Sequence, residues 1–224
     1  MINLSQSTFL ESTGFMTLQT TIQTIQQTVQ LRRQLRQQRR RLDIFQQRQA
    51  EQNTLKHLIK HPQFKQAQKI GIYLNAFGEI HTRKIIKYCF QQGKTVYLPL
   101  IGNMNQKLLW VPINAHLYYN RRFAKHPLGM REPMNRRGVA ARQLDLLLMP
   151  LLACDVHGTR MGMGGGYYDR TLADAPQRPF RIGLAHPFQY LDDALTRQSW
   201  DQPLDYLCTP EKIYTFKRRY PIRP

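Results

Sequence analysis

The sequence LDLLLMPLL at residues 144–152, followed by RMGMGGGYYD at residues 160–169, decides the fold of this chain. The first stretch is a continuous apolar run, which is typical of a strand buried on both faces of a sheet. The second holds four glycines within five positions, and residues 167–175 have the composition of a helix. We therefore predict a buried strand, a glycine loop and a helix, in that order along the chain.

A glycine loop between a strand and a helix is suited to binding phosphate. Glycine accepts positive φ and lets the backbone approach an anion, so that successive N–H groups converge on its oxygens. The start of a helix adds unpaired N–H donors and the positive end of a dipole. Arg160 can neutralise phosphate charge on one side, and Asp169 can bind a divalent metal on the other. The alternative is that the glycines only form a tight turn.

The segments around the loop alternate between strands and helices. Strands are predicted at residues 69–74, 95–100, 107–113, 144–152, 180–186 and 205–208, and helices at residues 53–61, 82–92 and 167–175. This order predicts an α/β protein, a three-layer α/β/α sandwich around a mainly parallel sheet. Pro112 places its strand near an edge of the sheet. Ligands of such sheets bind at the carboxyl ends of strands, which is where the glycine loop is placed.

A long helix is predicted before the first strand. Residues 21–52 are rich in Gln and Arg, and an interruption is expected near Asp43, which can cap a second helix. Apolar side chains recur in this segment at helical spacing, among them Ile22, Ile25, Val29, Leu31 and Leu35. Residues 1–20 are polar without a clear period and predict a loose extension. The predicted organisation is therefore an extension over 1–20, one domain over 21–216 and a basic tail over 217–224.

The composition favours a cytoplasmic protein. A chain of 224 residues with 42% hydrophobic content can bury a sizeable core. No apolar run approaches the roughly 18 residues of a membrane span, and the first residues lack the pattern of a signal peptide. Three widely spaced cysteines, Cys89, Cys154 and Cys208, are interpreted as free thiols.

The net charge of +19 is high, and much of the excess lies in residues 32–48 and 212–223. A basic surface attracts anions such as nucleotides or polyglutamates. It also suggests nucleic acid. No zinc finger, RNA-binding aromatic signature or leucine zipper accompanies the charge. We therefore interpret the charge as a solvated surface and do not expect nucleic acid as a partner. RNA binding is an alternative hypothesis that only the charge suggests.

Acidic and aromatic side chains near the predicted sheet edge are candidate site residues. Glu79 follows the first strand, where its carboxylate can accept hydrogen bonds from a polar heteroaromatic ring, or simply neighbour a helix N-cap. Asp169 can bind magnesium beside a triphosphate, or only complement the helix dipole. Asp205, at the start of a late strand, is a second metal candidate or a surface acid. Tyr167 and Tyr168 can pack in the core or flank a flat substrate.

Residues 144–172, LDLLLMPLLACDVHGTRMGMGGGYYDRTL, resemble the signature of the 5-formyltetrahydrofolate cyclo-ligases, also called methenyltetrahydrofolate synthetases. The likeness extends to IGIYLNAFGEIHTRKI at residues 70–85, to GMREP at 129–133 and to WDQPLDYLC at 200–208. In all it covers about residues 28–213, including a basic first helix. The resemblance implies a NagB/RpiA/CoA transferase-like fold.

The resemblance also implies an activity. An ATP- and Mg²⁺-dependent ligase would close 5-formyltetrahydrofolate to 5,10-methenyltetrahydrofolate through a phosphorylated formyl group, with release of ADP and phosphate. The implied partners are ATP and the folate, with or without a polyglutamate tail. The expected protein is a monomer that does not bind membranes.

Site residues follow from the resemblance position by position. The implied catalytic residues are Arg160 and Tyr167. The implied ATP-binding residues are Arg32, Arg160, Met161, Gly162, Met163, Gly164, Gly165, Gly166, Tyr167 and Tyr168. The implied folate-binding residues are Leu74, Glu79, Met163, Gly164, Gly165, Gly166 and Tyr167. The implied metal ligands are Asp169 and Asp205.

Two positions depart from the family pattern. Many members have Lys where this chain has Thr28, and many end the last strand with Thr-Glu where this chain has Thr209 and Pro210. The Thr28 departure weakens the expected contact of the first helix with nucleotide. It is the one positional hint for an alternative function, a non-catalytic folate- or nucleotide-binding regulator on the same fold.

Overall fold

A computed structural model describes residues 5–102, 106–135 and 137–218, with side chains in these ranges from residue 23 onward. Its strands are β1 (Lys69–Gly71), β2 (Thr95–Ile101), β3 (Leu108–Ile113), β4 (Phe123–Lys125), β5 (Arg131–Pro133), β6 (Leu146–Pro150), β7 (Ala153–Asp155), β8 (Arg160–Met161), β9 (Phe180–Leu184), β10 (Tyr190–Leu191), β11 (Tyr206–Cys208) and β12 (Ile213–Thr215). The main sheet has seven strands in the order β12-β11-β9-β6-β1-β2-β3. Its five inner strands are parallel, and the edge strands β12 and β3 are antiparallel to their neighbours.

The helices are α1 (Ser5–Arg41), α2 (Ile44–Leu58), α3 (Pro62–Gln66), α4 (Arg83–Gln91), α5 (Ala115–Tyr119) and α6 (Tyr167–Ala173). The expected interruption near Asp43 is confirmed, since its side chain accepts a hydrogen bond from the Gln46 amide at 2.8 Å and caps α2. Residues 5–20, predicted as a loose extension, form the first part of α1 instead. Elongating a formed helix adds a hydrogen bond for each residue, so polar residues without a clear period can still extend it.

Successive side chains of β6 lie on opposite faces of the sheet, and both faces are buried. Leu146 and Leu148 pack in a cluster with residues of α2 and α4, whereas Leu147 and Met149 pack with Leu172 of α6 on the opposite face. Because side chains on a strand point to opposite faces in turn, one apolar run serves two cores. The predicted α/β fold, with helices on both faces of a mainly parallel sheet, is confirmed, as is the edge position of the strand with Pro112.

The glycine loop does not follow β6 directly, which corrects the predicted order of strand, loop and helix. Between β6 and the loop, strands β7 and β8 form an antiparallel pair, which belongs to a separate sheet with β10. The turn between β7 and β8 is built on Asp155, whose Oδ1 accepts hydrogen bonds from the amides of His157 and Thr159 at 2.9 and 2.8 Å. The apolar run therefore ends in a hairpin, and the loop leaves from β8.

The helix predicted over residues 53–61 forms the last part of α2, which ends at Leu58, and a separate helix, α3, begins at Pro62. Proline lacks an N–H, which the first helical position does not need, so it is accommodated there. In the described part of the chain, no helix is both long and apolar enough to cross a membrane. All three cysteines are free, as predicted, and the structure buries each of them.

Candidate active site

The glycine loop, residues 162–166, connects β8 to α6. Gly164 and Gly166 adopt φ of 105° and 65°, in the left-handed region that favours glycine. A Cβ atom added at Gly164 would meet no atom within 4 Å, whereas one added at Gly165 would lie 2.6 Å from the Tyr167 ring. The loop therefore presents open space at Gly164 and is packed closely at Gly165.

Arginine side chains surround this loop. Arg160 donates from Nη2 to both carboxylate oxygens of Asp169 at 2.9 Å, and its guanidinium lies 5.4 Å from the centroid of the Tyr168 ring. Arg170 donates to the Gly165 carbonyl at 2.6 Å. The charge of Arg160 is therefore paired with Asp169, whereas Arg170 adds a positive charge beside the loop backbone.

Helix α1 lies against the loop and brings two more arginines to it. Arg36 donates to the Met163 carbonyl at 3.2 Å, and Nη2 of Arg39 lies 3.6 Å from the Met163 sulfur. Arg32, one turn before Arg36, has a buried Nε that no described residue accepts from. Positions 32, 36 and 39 share one face of a helix, so Arg32 belongs to a row of three arginines, and its nucleotide contact stays a prediction.

Glu79 lies on the other side of Arg39, in the turn after β1. Its Oε2 accepts a hydrogen bond from the Ala76 amide at 3.0 Å, and its Oε1 lies 3.9 Å from Nη1 of Arg39. Burial raises the pKa of Glu79 to about 7, although the Ala76 amide and Arg39 both lower it. Leu74, the other implied folate contact of this segment, is half-buried and packs against the sheet core.

Two tyrosines face the same carboxylate. Burial raises the pKa of both Tyr73 and Tyr168, and the charge of Glu79 raises each further. Tyr168 comes from α6 and also packs 6.3 Å from the Trp110 ring, between centroids, so it belongs to the core cluster as well as to the site. Tyr167 packs against the same cluster. The structure thus brings Glu79 and the start of α6 together.

The two implied metal ligands have different partners. Asp169 binds Arg160 and also accepts a hydrogen bond from the Gln202 amide at 3.2 Å. Asp205 precedes β11, where Oδ2 accepts from the Arg181 amide at 2.8 Å and Oδ1 lies 3.2 Å from Nε of Arg218. Burial is the main cause of the raised pKa of Asp205. The structure therefore places Asp169 beside the loop, and the metal roles of Asp169 and Asp205 both stay predictions.

Magnesium fits the donor set that Asp169 offers. The described residues contain no group of three or more His, Cys, Asp or Glu side chains that could hold a metal ion. Mg²⁺ bound with a nucleotide needs only one or two carboxylates, because phosphate oxygens and water complete its coordination. Asp169, with a side chain 19% exposed beside the glycine loop, can supply one of them.

Phe77 is a further residue at this edge that the sequence reasoning missed. It has a φ of 51°, in the left-handed region, and is 42% exposed. A Cβ added at Gly129, in the hairpin of β4 and β5, would lie 3.1 Å from its Cζ. A strained, exposed aromatic ring between Leu74 and Glu79 is typical of a ligand contact. The residue types around Glu79 carried no signal for it, because the strain is visible only in the backbone.

The glycine loop and its arginines thus lie next to a buried carboxylate on a three-layer α/β fold. Comparison with known proteins gives the family. The model of the 5-formyltetrahydrofolate cyclo-ligase family matches residues 24–210. The chain belongs to this family, which confirms the resemblance and the enzyme class that it implies.

Relatives and solved structures agree. The 5-formyltetrahydrofolate cyclo-ligase of Haemophilus influenzae is 35% identical over 169 residues, which cover 74% of this chain and 88% of that protein. The Escherichia coli protein of the same name is 34% identical over 183 residues, which cover 79% and 96%. The NMR structure of Aquifex aeolicus 5,10-methenyltetrahydrofolate synthetase matches with a TM-score of 0.71 at 24% identity, over 88% of this chain and 96% of that one. That structure supports the fold.

Proposed function

We propose that this protein is an ATP-dependent ligase that closes 5-formyltetrahydrofolate to 5,10-methenyltetrahydrofolate and releases ADP and phosphate. One observation carries the proposal. The buried side chain of Arg39 touches both Glu79, the implied folate contact, and Met163 of the glycine loop, the implied ATP contact. The two substrates of a single transfer would therefore meet in one place, and family membership supports the same reading.

The chemistry needs a leaving group. The oxygen of a formyl amide departs poorly, but phosphate departs well. Transfer of the γ-phosphoryl group to the formyl oxygen breaks the bond to ADP and forms a new P–O bond. The neighbouring amine nitrogen then attacks the formyl carbon, loses its proton, and phosphate leaves as the ring closes. Because the nucleophile belongs to the same molecule, the entropy of encounter is already met.

The protein's part is to position the phosphoryl group and stabilise its charge. Arg160 and the backbone amides of residues 161–168 would bind the phosphates, with Arg32 contacting the nucleotide from α1. Tyr167, packed against Gly165, would fix the shape of the loop beside the reacting oxygen. Glu79 and Leu74 would bind the pterin, with the Glu79 carboxylate accepting hydrogen bonds from ring N–H groups.

Asp169, with Asp205 as the second implied ligand, would hold magnesium. When bound, the ion would neutralise charge on the phosphates. The substrate class in this proposal includes folates with a polyglutamate tail, whose carboxylates suit the cleft on α1 lined by Arg33, Arg36 and Arg40. The proposal takes the protein to act as a cytoplasmic monomer.

The test follows the ultraviolet absorbance of the methenyl product from 5-formyltetrahydrofolate, ATP and Mg²⁺. Wild-type protein should form product only when all three are present. Asp169→Asn should reduce the rate by 100-fold or more, on the order expected for loss of a transition-state charge contact. Asp174→Asn is the matched control, since Asp174 caps the other end of the same helix and is exposed.

Two outcomes would count against the proposal. Wild-type turnover in Asp169→Asn would contradict the metal assignment. Absence of product under every metal condition, from folded protein that still binds nucleotide, would favour the non-catalytic regulator to which Thr28 points.

A further inference from the structure

Arg39 is among the most deeply buried charged side chains of the described residues, yet its contacts are long. Its side chain is 1% exposed. Nη1 lies 3.4 Å from the Leu151 carbonyl and 3.9 Å from Glu79, Nη2 lies 3.6 Å from the Met163 sulfur, and no described residue accepts from Nε. Burying a guanidinium is costly unless it is closely paired. This arginine is therefore poorly explained by stability alone.

The backbone around Arg39 fixes where its side chain points. A Cβ added at Gly78 would lie 2.6 Å from the Arg39 carbonyl oxygen, so the turn before Glu79 packs directly on α1. The Gly78 carbonyl is held in turn by Nε2 of His186 at 3.1 Å. Helix α1 and the Glu79 turn are thus in fixed contact, and the guanidinium has little freedom to leave the carboxylate.

We propose that Arg39 is a positioning residue that favours the ionised form of Glu79 and holds its carboxylate towards the folate ring. This inference rests on the proposed function for the identity of the ring. An ionised carboxylate only accepts hydrogen bonds, whereas a protonated one also donates. The charge state of Glu79 therefore decides whether the site can accept the N–H groups of a pterin.

The other described groups around Glu79 carry no positive charge that could favour its ionised form. Tyr73 from the segment after β1 and Tyr168 from α6 are neutral, because burial and the nearby carboxylate raise the pKa of each. The Ala76 amide donates one hydrogen bond. His186 stays neutral at physiological pH, since burial lowers its pKa to about 4. Among the described residues, Arg39 is the cation whose charge lowers the pKa of Glu79.

The experiment measures kcat/KM for 5-formyltetrahydrofolate against pH for wild type, Arg39→Met and Arg39→Lys. Loss of an opposite charge at this distance should raise the pKa of Glu79 by roughly 1 to 3, so kcat/KM at pH 7 should fall about fivefold or more and recover at higher pH. Arg39→Lys should give an intermediate profile. Arg41→Met, an exposed arginine two positions along, should leave the profile unchanged.

A second readout does not depend on turnover. Glu79 is titrated directly by NMR in protein with ¹³C-labelled glutamate carboxyls, with Glu79→Gln to assign the signal. The expected result is a higher pKa in Arg39→Met than in wild type. If that pKa rises while wild-type protein forms no product, the role of Arg39 stands and the proposed function fails.

The inference is overturned if Arg39→Met lowers activity equally at every pH and leaves the titration of Glu79 unchanged, because a merely structural side chain would do that. Should Arg39→Met not fold, Arg39→Gln supplies the same loss of charge with a polar side chain of similar reach. An unchanged pKa in that variant overturns the inference in the same way.

Discussion

Replacing Glu79 by glutamine tests whether this carboxyl is held in the site at a cost in stability. Burial is the largest cause of its raised pKa, about 7 against an ordinary value of 4.5. Because the folded state binds this proton more tightly than the unfolded state, its contribution to stability is fully present below pH 4.5. This contribution is lost as the pH rises to about 7, and above that pH the titration of Glu79 changes the stability little. The pKa of Glu79 thus differs by about 2.5 between the unfolded and folded states. Because each unit of pKa is equivalent to about 1.36 kcal/mol, this difference corresponds to about 3 kcal/mol.

Glu79→Gln removes the titration but keeps the shape of the side chain. Relative to wild type, the variant should therefore gain about 3 kcal/mol in the free energy of unfolding between pH 4.5 and pH 8. The assay is urea unfolding at several pH values across this range. Glu211→Gln, which changes an exposed glutamate, is the control for the loss of a carboxylate away from the site. A constant difference between wild type and Glu79→Gln, within about 0.5 kcal/mol, would refute the account of a buried, destabilising carboxylate.

The loop residues give further expectations. Gly165→Val should weaken ATP binding at least tenfold by isothermal titration, because a Cβ there meets the Tyr167 ring at 2.6 Å, so the loop and the ring must move apart and displace the loop amides. Gly93→Ala, at a left-handed glycine with open space around it, should cost about 1 kcal/mol and leave ATP affinity unchanged. Phe77→Gly should relieve left-handed strain and stabilise the protein by about 1 kcal/mol, while raising KM for the folate several-fold. Unaltered affinity in Gly165→Val, or an unaltered KM in Phe77→Gly, would count against these contacts.

Local patterns account for much of the fold. The apolar run at residues 144–152 predicted a strand buried on both faces, and β6 sends alternate leucines into two cores. Asp43 is an N-cap because its short acidic side chain reaches the first amides of α2. Pro112 marked an edge strand because it cannot donate to a second neighbour. Each of these depends on interactions within a few residues or on one repeated period.

Features that depend on distant contacts were not predictable in this way. The hairpin of β7 and β8 follows the apolar run, and its turn is set by Asp155 together with a hydrogen bond from the Leu195 amide, 40 positions away. Arg39 looked like one more member of a charge run, since no local signal separates a buried arginine from exposed neighbours such as Arg40. Its spacing from Arg32 and Arg36 on one helix face was the available hint. Its burial beside Glu79 follows from the packing of α1 against Gly78, which the sequence does not show.

The fate of the formyl oxygen shows whether the formyl group is phosphorylated during the reaction. Labelling that oxygen with ¹⁸O, running the reaction with ATP and Mg²⁺, and analysing the released phosphate by mass spectrometry follows the atom itself. We predict that each phosphate formed with the methenyl product carries the ¹⁸O label. Methenyl product accompanied by unlabelled phosphate, with the ¹⁸O in water, would contradict phosphorylation of the formyl group.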